Sequence, residues 1–439
     1  MSADHVFGGR HEVAVARNAA VPLGAAWVAA GIASFEPVGP AWLGVLGVLA
    51  SLTVAAVWAG PSRAPSALLV PGLAAVSVVS LLIWPPTAFW ATDAHLAPAM
   101  IAAFAAPAAV LFLPLVHGRA SRTCVVAVLA LLGVGYSLVI WGGTPLIDVW
   151  VFLQDSARGL LHGANPYQMT FPGVPPGQDS TCFTYWPGTF LVTAPSNWVL
   201  GDVRWAEAGY LLAAVTLTAW SAGRRSGQQE PGRPALAARL ALAAAIGVIP
   251  GTALVVLQAW TEPILLLGLV GAAVLIDRHP NWAVLPLGLA LASKQYMLIM
   301  VPLLAFWPRF GWRRVLATAA VATMVALPWL LLSLQRFQQC TISYFLHEPT
   351  PLTSLSLWRY LPPPLRLPLT IAATALAAYV AIRRCRRNGA GFLLAAGTTL
   401  MVFNAVNKET YTNQWWLAAA LITASFALQP PMKAAESAY

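Results

Sequence analysis

The sequence predicts an all-α polytopic membrane protein of about twelve to fourteen transmembrane helices, with short amphipathic helices on its outer face. Three observations carry that expectation. The 439 residues are 59% hydrophobic and only 9% charged, against roughly 25% charged in soluble domains. The mean hydropathy is +0.70. The apolar residues come in runs of helix length separated by arginine-bearing loops. A chain so poor in charge turns most of its surface to lipid.

The elements follow in order. Residues 1–20 hold Asp4, Arg10, Glu12 and Arg17 without the apolar core and cleavage site of a signal peptide, and read as a cytosolic tail. Residues 21–142 carry the N-terminal membrane helices, in runs at 21–35, 41–59, 67–84, 96–116 and 124–142. Residues 143–183 form the first large outer loop. The core at 184–428 contributes runs at 204–222, 236–257, 263–276, 313–334, 365–382, 391–406 and 413–428, and residues 429–439 are a second cytosolic tail. The runs make about twelve crossings, several of them short against the ~20 residues a spanning helix needs.

The net charge of +10 lies in the loops at Arg63, Arg119, Arg122, 224–239, Arg278, 309–314 and 383–387 instead of in one stripe. It is a topology signal and no nucleic-acid surface. Those loops share the cytoplasmic side of a plasma (inner) membrane, which puts the segment after Asp148 outside. Two runs fit the count badly. Residues 184–200 would carry the 224–239 loop outward, so they read as re-entrant or kinked. Residues 282–307 begin and end beside arginines, so they read as two half-helices meeting near Ser293-Lys294-Gln295, where irregular backbone lines a protein cavity.

The segment from Asp148 to Tyr167 is polar and acid-bearing in an otherwise apolar chain. At helical spacing Asp148, Asp155, Arg158 and His162 fall on one side, with Val149, Leu153, Ala157, Leu160 and Leu161 opposite. Such a helix lies along the bilayer surface with its carboxylates toward water. It stops at His162-Gly163-Ala164-Asn165-Pro166-Tyr167, where Gly and Pro redirect the chain. Asp148 reads either as a catalytic carboxylate or as a helix cap, and Asp155 either as a ligand contact or as the partner of Arg158 three residues on.

The remaining polar groups gather on the same side. Of only three lysines, Lys294 and Lys408 sit in or beside apolar helices, where a charge costs roughly 2.5–3.5 kcal/mol. Asn407-Lys408-Glu409 joins the last two spans, and Gln258 to Pro263 with Glu262 joins two others. The loop from 335 to 364 adds His347, Glu348, Trp358 and Arg359. Carboxylates, cations and amides at one outer rim suit a lipid-linked anionic substrate. Lys294 equally fits a snorkelling cation, His347 a plain loop residue, and the nineteen Trp mostly an interfacial belt. No CxxC, HExxH, GxSxG or GxxxxGK[ST] occurs, which removes support for zinc proteolysis, α/β-hydrolase and P-loop chemistry.

Asp148, the run Leu160-Leu161-His162-Gly163-Ala164-Asn165-Pro166-Tyr167, and Tyr185-Trp186-Pro187 together resemble the first outer loop of the multi-spanning GT-C glycosyltransferases, family 87 in particular. That group includes polyprenol-phosphate-mannose-dependent mannosyltransferases and related arabinofuranosyltransferases of mycobacterial envelopes. Glu262-Pro263, Leu291 to Gln295, and the Asn407-Lys408 turn are similar too. The likeness covers roughly residues 140–428 in scattered short motifs. Two features depart from the family pattern: about five spans precede Asp148 where the family usually has one, and Tyr-Trp-Pro-Gly stands where Tyr-Pro-Pro is usual.

The resemblance implies a GT-C-like bundle and an inverting transfer of a sugar, mannose first and arabinofuranose next. The sugar moves from a polyprenyl monophosphate donor to a glycolipid or polysaccharide acceptor on the outer, periplasmic face. Asp148 would be the general base. Lys294, Lys408 and His347 would hold the donor phosphate. Asp155, His162, Asn165, Tyr167, Tyr185, Trp186, Glu262, Glu348 and Asn407 would line the substrate, with the aromatic residues stacking on a sugar face. No metal ligand set and no cofactor is required, although a carboxylate at the site permits a divalent cation. Intramembrane lysines and broken helices also describe a secondary transporter or lipid flippase, and a non-catalytic protein that binds lipid-linked sugar is a third reading. Among the four cysteines, Cys124 and Cys385 fall at cytoplasmic ends. Cys182 and Cys340 both fall in outer loops, where they either pair or stay two unrelated thiols.

Overall fold

The computed structural model describes residues 20–35, 39–59, 69–83, 97–111, 122–145, 147–175, 179–226, 233–347 and 349–429, and among them it is helical with no strand. Most of both expected tails, and Glu348, lie outside the described residues. The N-terminal helices are α1 (Ala20–Ala33), α2 (Pro40–Trp58), α3 (Leu69–Ile83), α4 (Ala97–Val110) and α5 (Arg122–Gly142). After the surface helix α6 (Asp148–Leu161) come α7 (Pro187–Leu200), α8 (Arg204–Ser226), α9 (Arg233–Ala245), α10 (Thr252–Leu257), α11 (Glu262–Ile276), α12 (Val284–Ser293) and α13 (Met300–Ala305). The chain ends with α14 (Gly311–Gln338), α15 (Tyr344–His347), α16 (Pro363–Arg384), α17 (Gly389–Val406) and α18 (Thr412–Leu428). Among the described residues, five helical stretches are long and apolar enough to cross a membrane: α2, Thr123–Gly142 of α5, Gly311–His347, α16 and α17.

Burial separates a centre from a periphery. Every residue of α18 is buried; α17 packs on it and α16 packs on α17, while α11 packs on α8 and α12. By contrast α14 and α16 expose Leu331, Leu332, Leu334, Leu367, Ile371 and Leu376, the surface that an apolar solvent covers at no hydrophobic cost.

The run at 236–257 is not one helix, against the continuous span expected. It divides into α9, a 3-10 turn at Ile246–Val248, and α10. Pro250 in the break has no N–H to continue an α-helical ladder. The 184–200 run forms α7, whose 14 residues reach about 21 Å against a hydrocarbon core of ~30 Å. It packs on α6. Gln154 of α6 donates to the Gly201 carbonyl at 2.7 Å and accepts from the Val203 N–H at 3.1 Å, and the Trp198 indole donates to the Ala157 carbonyl at 2.7 Å.

The amphipathic helix α6 buries Val149, Phe152, Leu153 and Ala157. Its end is a Schellman turn: Ala164 N–H donates to Gly159 O and Gly163 N–H to Leu160 O, with Gly163 at φ +73°, a conformation that glycine adopts without steric penalty. Its start is fixed by Arg204, which is 5% exposed. Arg204 pairs with Asp202 at 2.8 Å and donates to the carbonyls of Ile140 and Gly143 at 2.7 Å each. Ile140 lies in the last turn of α5 and Gly143 follows its end, where carbonyls have no intrahelical partner.

Below α6 lies an aromatic cluster in which Phe152, Tyr167, Phe171, Phe183 and Phe190 meet edge to face, and Phe337 and Trp329 of α14 join it. A Cys182–Cys340 disulfide, Cα atoms 5.1 Å apart, ties the loop after α6 to the segment after α14. Cys124 and Cys385 are free thiols. Alkylation under denaturing, non-reducing conditions is therefore expected to label Cys124 and Cys385 alone. A Cys182→Ser/Cys340→Ser variant is expected to lose about 2–4 kcal/mol of stability, read as a lowered melting temperature in detergent.

Candidate functional site

The site grows from one backbone break. Helix α12 ends at Ser293, Lys294 is extended (φ −149°, ψ 128°), and a 3-10 turn at Gln295–Ile299 leads into α13. These are the two half-helices expected from the sequence. The break is held open by α7: Thr189 donates its hydroxyl to the Ser293 carbonyl. Gly188 lies so close that a Cβ would stand 2.7 Å from the Ala292 carbonyl carbon and oxygen. Glycine in Tyr185-Trp186-Pro187-Gly188 thus has a steric reason, because any side chain would push Tyr185 away from Lys294.

The Lys294 side chain is 7% exposed as a residue and is ion-paired. Its ammonium lies 2.6 Å from Oε1 of Glu262, a fully buried residue at the first turn of α11, where the helix dipole favours a carboxylate. The Tyr296 hydroxyl donates to the same oxygen at 3.0 Å. The ammonium also sits over two rings, 5.6 Å from the centroid of Tyr185 and 5.5 Å from that of Tyr296, within cation–π range. Gln295 donates to the Thr184 carbonyl at 3.3 Å, stitching the two loops together.

Asp148 opens α6, and its carboxyl lies within electrostatic reach of Lys294. Burial pushes the Asp148 carboxyl up to about 6, against the opposing pull of the Val149 and Asp148 backbone N–H groups and of the lysine. Tyr185 is partly buried and stands in electrostatic contact with Asp148, Glu262, Tyr411 and Glu409. The turn after α17 therefore lies within electrostatic reach of the same group. The group combines a carboxyl that changes charge near neutrality with a cation held by a second carboxylate. Such a set can exchange a proton and receive an anion.

The other residues singled out in the sequence divide. Trp186 and Tyr185 are partly buried. Asn407 donates to the Glu409 carbonyl at 2.5 Å and shapes the turn there. Lys408 donates to the Phe345 carbonyl at 2.7 Å, and exposed His347 bonds the Ser343 carbonyl at 2.8 Å; no described contact joins either to Lys294.

Asp155 pairs with Arg158 at 3.4 Å, and exposed His162 bonds the Arg158 carbonyl at 3.0 Å. Asn165 caps the Pro166–Gln168 turn by accepting from the Tyr167 N–H, and donates to Ser333 at 2.8 Å. Tyr167 corrects an expectation: it is fully buried in the aromatic cluster and donates to the Tyr185 carbonyl at 2.7 Å. It is a packing residue with no face open to a sugar.

Sequence reasoning missed Tyr296 and Glu207. Glu207, in the first turn of α8, is fully buried, and neither carboxylate oxygen has a hydrogen-bond partner among the described residues. It lies in the fields of Glu262 and Lys294. A carboxyl inside the 204–222 run was the available signal, since intramembrane acids mark functional sites by default. Tyr296 had none beyond standing two residues after Lys294.

A separate cleft lined by Ser34, Ser77, Ser80, Phe104, Pro250 and Thr252 opens among the N-terminal helices. It is lined by no ionisable side chain, and Ser34 and Ser77 already bond helix carbonyls. Comparison with known protein families, curated proteins and solved structures finds no match to this chain.

Two outcomes follow from the geometry. Lys294→Met leaves Glu262 buried without its cation and is expected to cost about 3–5 kcal/mol, most of it recovered in a Lys294→Met/Glu262→Gln double variant; thermal unfolding of the purified proteins checks this. Asp148 has a folded value of about 6 against an ordinary 3.8, so the folded state binds the proton more tightly. That contribution is full below pH ~4 and is lost as pH rises through ~6. Asp148→Asn is therefore expected to be more stable than the parent at pH 8, by on the order of 1–2 kcal/mol for this partly exposed group, and equal to it near pH 4.

Proposed function

We propose that this protein is an integral-membrane glycosyltransferase. It moves a sugar, mannose first and arabinofuranose next, from a polyprenyl monophosphate donor to a lipid or polysaccharide acceptor at the outer face. The observation that carries the reading is the raised pKa of the Asp148 carboxyl within electrostatic reach of the buried Lys294–Glu262 pair. Asp148 takes the proton of the acceptor hydroxyl as that oxygen attacks the anomeric carbon. The bond from that carbon to the phosphate oxygen breaks, and the lipid phosphate leaves with the electron pair. Lys294 offers the developing phosphate charge an ammonium, which is worth most where water is excluded. A single displacement inverts the anomeric centre. Partly buried Tyr185 and Trp186 border the place where the sugar would lie. A divalent cation at Asp148 is compatible with this chemistry and is not required by it. The resemblance of the Asp148–Pro187 region to GT-C loops supports the same class.

One observation favours a second reading. Glu207 and the Glu262–Lys294 pair are buried inside the helix bundle, a pattern also expected of a secondary transporter or flippase. Purified protein in detergent separates the two, because a transporter has no turnover without a membrane. With labelled polyprenyl-phosphate mannose or arabinofuranose and a glycolipid acceptor, the enzyme reading expects labelled product. Asp148→Asn should then lower the rate by about 10² to 10⁴. Release of label with a near-parental rate in a well-folded Asp148→Asn protein would remove Asp148 from the mechanism.

A further inference from the structure

Lys294 cannot serve an incoming anion without cost, because it is already committed. Its partner Glu262 is fully buried, and among the described residues its only hydrogen-bond donors are Lys294 and Tyr296, both on Oε1, while Oε2 has none. Drawing the ammonium toward a ligand phosphate leaves a buried carboxylate that is costly to isolate.

We infer that Tyr296 is the positioning residue that makes Lys294 exchangeable. Its hydroxyl stays on Glu262 when the lysine turns to an anionic ligand, and its ring keeps the ammonium within cation–π distance during the exchange. Tyr296 acts by differential stabilisation. In the resting site the Tyr296 bond is one of two donors to the carboxylate; with the lysine engaged elsewhere it is the sole remaining one, and a hydrogen bond to a buried charge is strongest when nothing else neutralises it. Tyr296 therefore stabilises the ligand-bound arrangement more than the resting one. This rests on the reading that Lys294 receives the donor phosphate. It adds a residue that neither touches that phosphate nor carries a proton in the reaction.

The test uses the full-length protein in detergent with farnesyl phosphate as the probe, its affinity measured by calorimetry. Tyr296→Phe keeps the ring and loses the hydroxyl, and is expected to weaken binding about threefold to tenfold, because only the difference between the bond's strength in the two arrangements enters the affinity. Glu262→Gln frees the lysine and is expected to bind the probe more tightly than the parent. In the Glu262→Gln background Tyr296→Phe is expected to change affinity by no more than about twofold.

Parental affinity in Tyr296→Phe overturns the inference, as does an undiminished loss in the Glu262→Gln background, which would mark a purely structural role. Glu262→Gln binding no tighter than the parent also overturns it, and does so without depending on how Tyr296→Phe folds. Lys294→Met binding the probe as well as the parent would overturn the donor reading and this inference together. A failure confined to Tyr296 leaves the donor reading standing.

Discussion

The buried Lys294–Glu262 ion pair is the constraint on which the site depends. Two charges taken out of water are retained only when geometry and further hydrogen bonds compensate them. The local chain supplies those compensations from three directions: the first turn of α11 faces the carboxylate, Tyr296 donates to it, and two aromatic rings face the ammonium. To deliver Lys294 to that place α12 must stop at Ser293. The freed carbonyl is taken by Thr189, and the close approach of α7 is open only because position 188 is glycine. The ion pair, the broken helix and the small residue are thus one feature seen at three levels.

Asp148 is held by a different kind of support. Its helix lies on an aromatic cluster, is bonded to the α7–α8 turn through Gln154 and Trp198, and begins at a corner clamped by Arg204. The disulfide then ties the following loop to the end of α14. A carboxyl that must be partly stripped of water to be a useful base needs such a frame, since desolvation alone would otherwise swing it outward. Tyr185 links charge pair and base, since its ring lies under the Lys294 ammonium and it is within electrostatic reach of Asp148.

Much of this was legible in the chain. Hydropathy marked nearly every long helix within a few residues, because apolar runs bounded by arginines have few alternatives in lipid. The half-helices at Lys294 followed from a counting conflict with the positive-inside rule, whereas both thiols falling in outer loops left Cys182 and Cys340 either paired or free, and the structure pairs them. Other features depended on three-dimensional neighbours that a one-dimensional pattern does not carry. Tyr167 read as a sugar platform because a tyrosine beside Asn-Pro carries no mark of burial, yet its ring fills the aromatic cluster. Lys294 read as a cation awaiting phosphate, whereas its counter-ion stands 32 residues earlier in the chain. The break at Pro250 was hidden by the strong hydropathy of its flanks, and Glu207 by that of its helix.

The central claim is that an anionic lipid phosphate takes Lys294 from Glu262 while Asp148 faces the anomeric carbon. A structure of the protein with a non-transferable polyprenyl phosphonate sugar bound tests it most directly. The account predicts phosphonate oxygens within hydrogen-bonding distance of the Lys294 ammonium, the Tyr296 hydroxyl still on Glu262, and the Asp148 carboxyl on the side of the sugar opposite the phosphonate. A phosphonate bound elsewhere, such as the Ser34–Ser77 cleft, with the Lys294–Glu262 pair undisturbed, would contradict it.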